Sequence, residues 1–219
     1  TDYPRSLELL LKAAKLKEDS KAFNFLPGTY KNISTVFKEV GDTVNREKYL
    51  MKSVALVDEG KVMNPTFQAA VYNEAGRFYT EEKPDYPKAW EYFGKVLEVS
   101  KKLKWKKGIS VSLSNMANVK ELQGDYTEAL VLLDQALTIK TEIGDYYGMV
   151  HTQNLAGEIQ EKLDQYTQAQ KHFEKARILA QEQNLVNELK ESYEGLYRVH
   201  KKQGDFRRSL EYHESFQAL

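Results

Sequence analysis

Four histidines, His151, His172, His200 and His213, are the side chains of this 219-residue chain suited to proton transfer near neutral pH. No two stand four residues apart and no His-Glu-x-x-His run contains them, so no helical metal site is expected. His172 and His200 read as half-buried or surface residues. A second group is cationic: Lys101, Lys102, Lys104, Lys106 and Lys107 surround Trp105. Lysines around an aromatic ring can meet phosphate or an anionic lipid surface. The competing reading is a solvated connection with Trp105 tucked against the next helix and Glu81, Glu82 and Asp85 neutralising the lysines. Carboxylates are abundant throughout and therefore single out no acid–base pair. There is no glycine-rich phosphate loop, no Gly-x-Ser-x-Gly and no Ser/His/Asp set at a telling spacing. The expectation is a chain with no enzymatic activity, no cofactor and no metal.

The chemistry-bearing residues need a framework, and composition bounds it. Lys plus Arg number 32 against 32 Asp plus Glu, and 41% of residues are hydrophobic. That is enough apolar material for a core, with no net field to draw a polyanion. No apolar run approaches the roughly 18 residues that suggest a membrane span, so neither nucleic-acid binding nor membrane insertion is expected. The absence of Cys excludes disulfides and thiolate chemistry and leaves the compartment open, cytoplasmic or bacterial periplasmic. The chain opens on Thr1 with no basic-then-apolar leader, so any targeting segment is expected to be absent or removed.

Self-similarity sets the organisation. Asp125-Tyr126-Thr127-Glu128-Ala129-Leu130 returns as Gln165-Tyr166-Thr167-Gln168-Ala169-Gln170 and as Asp205-Phe206-Arg207-Arg208-Ser209-Leu210. Tyr3, Thr43, Tyr86, Tyr126, Tyr166 and Phe206 step by 40, 43, 40, 40 and 40. Each unit reads as two helices. Val111, Leu113, Met116, Ala117 and Val119 keep helical spacing up to Gln123-Gly124-Asp125, where Gly can end one helix and Asp cap the next. Ala129, Leu132, Leu133, Ala136 and Leu137 then form the stripe of the partner. Pro4, Pro65 and Pro87 fall in first turns, Pro27 and Pro84 in connections, and Asn64 before Pro65 reads as a cap. Ala89, Ala129, Ala169 and Ser209 recur at one place in second helices, and Ala117 and Gly157 at one place in first helices, with Gly76 at about the same place allowing for one inserted residue. A small residue there lets backbones approach, with Leu133 and Phe173 filling the space beside it.

These features, a small residue in the first helix, a Gly-Asp-aromatic turn and an alanine three residues on, resemble the tetratricopeptide repeat over essentially the whole chain. The usual unit is about 34 residues, so each helix here has gained close to one turn. HEAT and armadillo units have comparable length but lack the signature. Long units of this kind are similar to those of kinesin light chains, bacterial peptide-pheromone receptors, and the sensor regions of bacterial histidine kinases and helix-turn-helix regulators. The stretch Tyr193-Glu194-Gly195-Leu196-Tyr197 with Gln203-Gly204-Asp205-Phe206 looks most like the last group.

The resemblance implies an all-α fold, a right-handed α-α superhelix of about 11 helices. It would be one solenoid over 1–219, with the second helix of a partial repeat at 1–20 and repeats at about 27–60, 65–102, 106–143, 146–183 and 186–219. The apolar first helix and the short last one suggest a fragment of a longer protein, or open ends that pair with another subunit. The resemblance also implies that first helices line a concave groove for a protein or peptide. By register the groove would display Lys31, Asn32, Lys38, Asn73, Arg77, Asn115, Asn118, Glu121, His151, Asn154, Glu158, Glu161, Arg198 and Lys201, with Thr35, Glu74 and Glu194 beside them. Amides that both donate and accept suit an extended backbone. Lys31 and Asn32 partly match the carboxylate clamp of chaperone-binding members, but Thr35 stands where that clamp needs Asn. The expected role is the sensing or interaction region of a signalling protein, the alternative a self-associating scaffold. The sequence leaves the oligomeric state open.

Overall fold

A computed structural model describes residues 2–219; Thr1 lies outside the described residues. Among these residues there are eleven α-helices and no strand. They are α1 (Tyr3–Asp19), α2 (Leu26–Glu39), α3 (Thr43–Asp58), α4 (Pro65–Glu81), α5 (Tyr86–Lys102), α6 (Lys106–Leu122), α7 (Tyr126–Ile143), α8 (Tyr146–Lys162), α9 (Tyr166–Glu182), α10 (Val186–Lys202) and α11 (Phe206–Gln217). A short 3-10 turn, Phe23–Phe25, leads into α2. Most helices begin where the sequence says they should. The side chains of Asp2, Asp42, Asn64, Asp85, Asp125, Asp145 and Asp205 each accept a hydrogen bond from the backbone N–H three residues on. Several helices stop at a left-handed residue, among them Gly124 (φ 79°) and Gly204 (φ 79°). Pro27 departs from expectation. It lies in the first turn of α2 rather than in a connection, a position whose N–H has no intrahelical partner in any case.

The chain packs as two compact units, one ending at Asn115 and one running from Met116 to Leu219. In the first, α2 packs on α3 and α4 on α5, with α3 also against α4. Leu26, Ile33, Leu50, Phe78 and Phe93 are fully buried. A Cβ on Gly76 would lie 2.6 Å from the Phe93 ring, so the glycine is what admits the phenyl group between helices. On α1, Leu9 and Leu16 are exposed, at 59% and 69%.

Arg46 is the unexpected core residue of this unit. It is 1% exposed, its guanidinium 2.9 Å from Glu74 and 2.8 Å from Glu82 and 5.7 Å above the Phe78 ring. The acids expected to neutralise the lysines around Trp105 are engaged elsewhere: Glu82 with Arg46, Glu81 with Arg77 (3.0 Å), Asp85 with Lys88 (3.0 Å). Lys102 pairs instead with Glu98 on its own helix at 2.6 Å. Trp105 folds over Gly108, where any side chain would strike the indole.

In the second unit α8 packs on α9, α9 on α10, α10 on α11, and α8 touches α10 directly. Ala129, Ala136, Ala169 and Ala176 are fully buried, as the small-residue register requires. Phe173 of α9 is wedged against two glycines, Gly157 of α8 and Gly195 of α10, and a Cβ on either would collide with its ring. His172 is half-buried, as expected. His200 is not: it is 2% exposed, stacked on Tyr212 at 5.4 Å, and burial holds its imidazole below the usual value.

Candidate functional site

The second unit assembles the densest set of the expected groove residues. They come from α8 and α10, with Glu121 from the end of α6. Residues three, four and seven apart share one helix face, so His151, Asn154, Glu158 and Glu161 line up along α8. Glu161 accepts from Arg198 Nε of α10 at 3.1 Å, and Glu194 lies 3.6 Å from the same guanidinium. Glu121 is ion-paired with Lys162. Lys201 points its ammonium at Tyr197, 3.2 Å from the hydroxyl and 5.5 Å from the ring centroid.

Asn154 has a different role from the one expected. It is 4% exposed, and its amide donates to the Glu188 carbonyl (3.2 Å) and the Glu191 carboxylate (3.4 Å) and accepts from Ser192 Oγ (2.9 Å). It clamps α8 to α10 and has little left to offer a ligand. Glu158 is half-buried, and none of the described residues forms a salt bridge with it. Burial pushes its carboxyl above the usual range; Arg198 opposes this while Glu121 and Glu191 add to it. His151 is open to solvent on this face, yet the protein around it, and next the positive charge of Lys140, lower its pKa.

Glu158, Glu161, Lys162 and Arg198 border a cleft of about 420 Å³, joined by Tyr166 and Lys202. Lys162, Tyr166 and Lys202 escaped the register argument because they lie at helix ends, where a residue can reach the same cleft without belonging to the face of a first helix. The sequence signal is that Lys162 and Tyr166 flank the turn after α8 and that Lys202 ends α10 at the place equivalent to Lys162.

In the first unit the expected residues are dispersed. Asn115 donates to Asn73 at 2.8 Å across 42 residues of sequence. Glu74 turns to Arg46, Arg77 to Glu81 and Lys38 to Glu82 (3.7 Å), while Lys31 is half-buried and Asn32 exposed. Asn118, in the second unit, is half-buried. An opening of about 370 Å³ in the first unit has Phe25, Val62, Met63 and Phe67 among its lining residues, none of them in the expected set. Among the described residues no helix is long and apolar enough to cross a membrane, and no three His, Asp or Glu side chains are placed to hold a metal ion.

Residues 108–182 match the tetratricopeptide repeat family. No curated protein sequence matches the chain. In structure it is similar to BtubC (BKLC) from P. vanneervenii, at 16% identity and a TM-score of 0.82 over 100% of this chain and 91% of that one. It is similar to aspartyl phosphate phosphatase F from Bacillus subtilis at 18% identity and a TM-score of 0.82, covering 93% of this chain and 54% of that one. A signal transduction ATPase with numerous domains from Pyrococcus horikoshii, described as having a tetratricopeptide repeat sensor, aligns at 15% identity and a TM-score of 0.67 over 96% of this chain and 40% of its own. At such identities the likeness is one of fold. Residues 108–182 are thus tetratricopeptide repeats, and the chain has the all-α fold of a tetratricopeptide-like solenoid.

Proposed function

We propose that this chain is a protein- or peptide-binding module and that the face shared by α8 and α10 receives the ligand. What supports the reading above all is the cleft beside Glu158, where ion pairs at Glu161–Arg198 and Glu121–Lys162 surround a carboxylate that has no such partner. Fixed charges of both signs around an open cleft suit a peptide bearing polar groups. The tetratricopeptide repeat sensor of the Pyrococcus protein favours a sensing role within a larger signalling or regulatory protein. The test is selection from a displayed library of random heptapeptides, followed by titration of the winners against the parent chain and Arg198→Glu. Recovered peptides should lose at least tenfold in affinity for the variant. Winners that bind both alike would place the ligand elsewhere.

The exposed leucines of α1 favour a second reading, self-association. Sedimentation velocity should then show mass rising with concentration in the parent and not in the Leu9→Glu, Leu16→Glu double variant. A parent that stays monomeric over the whole range sinks this reading.

A further inference from the structure

The 40-residue step makes Tyr212 and His172 equivalent, and likewise Glu174 and Asp134. In the later repeat the phenol of Tyr212 donates to Glu174 at 2.5 Å and its ring packs 6.1 Å from Tyr193. One repeat earlier the aromatic pair has become polar: His172 Nδ1 lies 2.7 Å from the amide oxygen of Gln153. An imidazole is shorter than a phenol, and no hydrogen bond from the described residues reaches the Asp134 carboxylate. The missing length shows as a cavity of about 160 Å³ whose walls include Leu130, Leu133 and Leu137 together with Asp134, Gln160 and His172.

Among its polar wall residues, Asp134 and His172 present acceptors. An amide oxygen can only accept, so His172 Nδ1 carries the proton and Nε2 is left with a lone pair. Asp134 adds a negative charge at the mouth. Thr152, also on the wall, is already engaged, receiving Lys140 Nζ and donating to the Gly148 carbonyl. Two acceptors, the Asp134 carboxylate and His172 Nε2, therefore stand beside the leucines of the pocket.

We propose that this cavity binds an alkylammonium group, its nitrogen donating to Asp134 and His172 Nε2 and its short chain lying on Leu130, Leu133 and Leu137. The group comes either from a free aliphatic amine or from a lysine side chain of a partner protein. The site is separate from the α8–α10 face and does not depend on that reading.

The imidazole nitrogens of His172 report on occupancy in the 15N-labelled full chain. Titration with n-butylammonium chloride should move them saturably, n-butanol should bind at least tenfold more weakly, and butyrate should leave them in place. Asp134→Asn, at an exposed helix position that does not threaten the fold, should weaken n-butylammonium at least tenfold. The Gln153→Tyr, His172→Tyr pair, followed through the methyl signals of Leu133, should fill the cavity and abolish the response. Nα-acetyl-lysine amide binding more tightly than n-butylammonium assigns the site to a partner's lysine; the reverse order assigns it to a free amine. Butanol as strong as butylammonium, unmoved His172 signals, or an Asp134→Asn variant equal to the parent would each overturn the proposal.

Discussion

Arg46 stands at the place where the other second helices carry Ala89, Ala129, Ala169 and Ser209, three residues after the marker of each repeat. Aligning the repeats therefore contained the warning, since an arginine cannot pack as alanine does. What alignment could not supply is where its guanidinium goes. It goes inward, to Glu74 and Glu82, and so takes Glu74 out of the groove to which register alone assigned it. Removing one partner of a buried ion pair leaves the others charged and unmatched. Arg46→Ala should cost about 3 to 5 kcal/mol in urea melts, and a loss under about 1 kcal/mol would mean that water already shields the pair. Asn154 shows the same limit. Its position on the α8 face was legible, but that its amide would be consumed by Glu188, Glu191 and Ser192 depends on how closely α10 approaches, which no single helix encodes.

Helices were the most legible part of the chain, because their caps and their small residues are both local signals. The capping aspartates and Asn64 fall where the turns put them, and the fully buried alanines keep the 40-residue step. Three helices, α2, α9 and α10, lack the device. At the start of α9, Gln165 occupies the capping place and makes no side-chain bond, and Asp164 before it is held at φ 56°. Gln165→Asp should stabilise the chain by about 0.5 to 1 kcal/mol, seen as a shifted denaturant midpoint at constant slope. Packing sets the opposite sign at Ala129, which is fully buried. Ala129→Leu should cost about 1 to 3 kcal/mol; thermal melting equal to the parent would show that the contact has room to spare.

At the scale of the molecule, the zero net charge conceals buried charges with their own pH dependence. Lys140 is 4% exposed, hydrogen-bonded to Thr152 at 2.6 Å, and burial brings its ammonium down to about 8 against the pull of Asp145. Above that value the unfolded chain still holds a proton that the folded chain has released, so stability rises with pH from about 8 toward 10.5. Buried tyrosines act the other way above about pH 10. Tyr30, Tyr72 and Tyr79 are held above their usual value, first by burial and then by bonds to Glu18, Asp58 and Glu47, while the unfolded chain ionises near 10. The window from pH 8 to 10 therefore isolates the lysine. Lys140→Met should remove a rise on the order of 2 kcal/mol there, measured by urea melts at the two ends. A slope unchanged by the substitution would assign the rise to another group.

The two tryptophans, Trp90 and Trp105, both precede Asn115, where the first compact unit ends. Intrinsic emission excited at the red edge of the indole band is thus a private signal of that unit, whereas far-ultraviolet ellipticity sums the helices of both. One sample watched in both channels carries its own cooperativity test. Superimposable curves mean all-or-none melting. Curves that separate mean that the Gln165→Asp and Ala129→Leu substitutions will leave the fluorescence trace in place and move only the ellipticity.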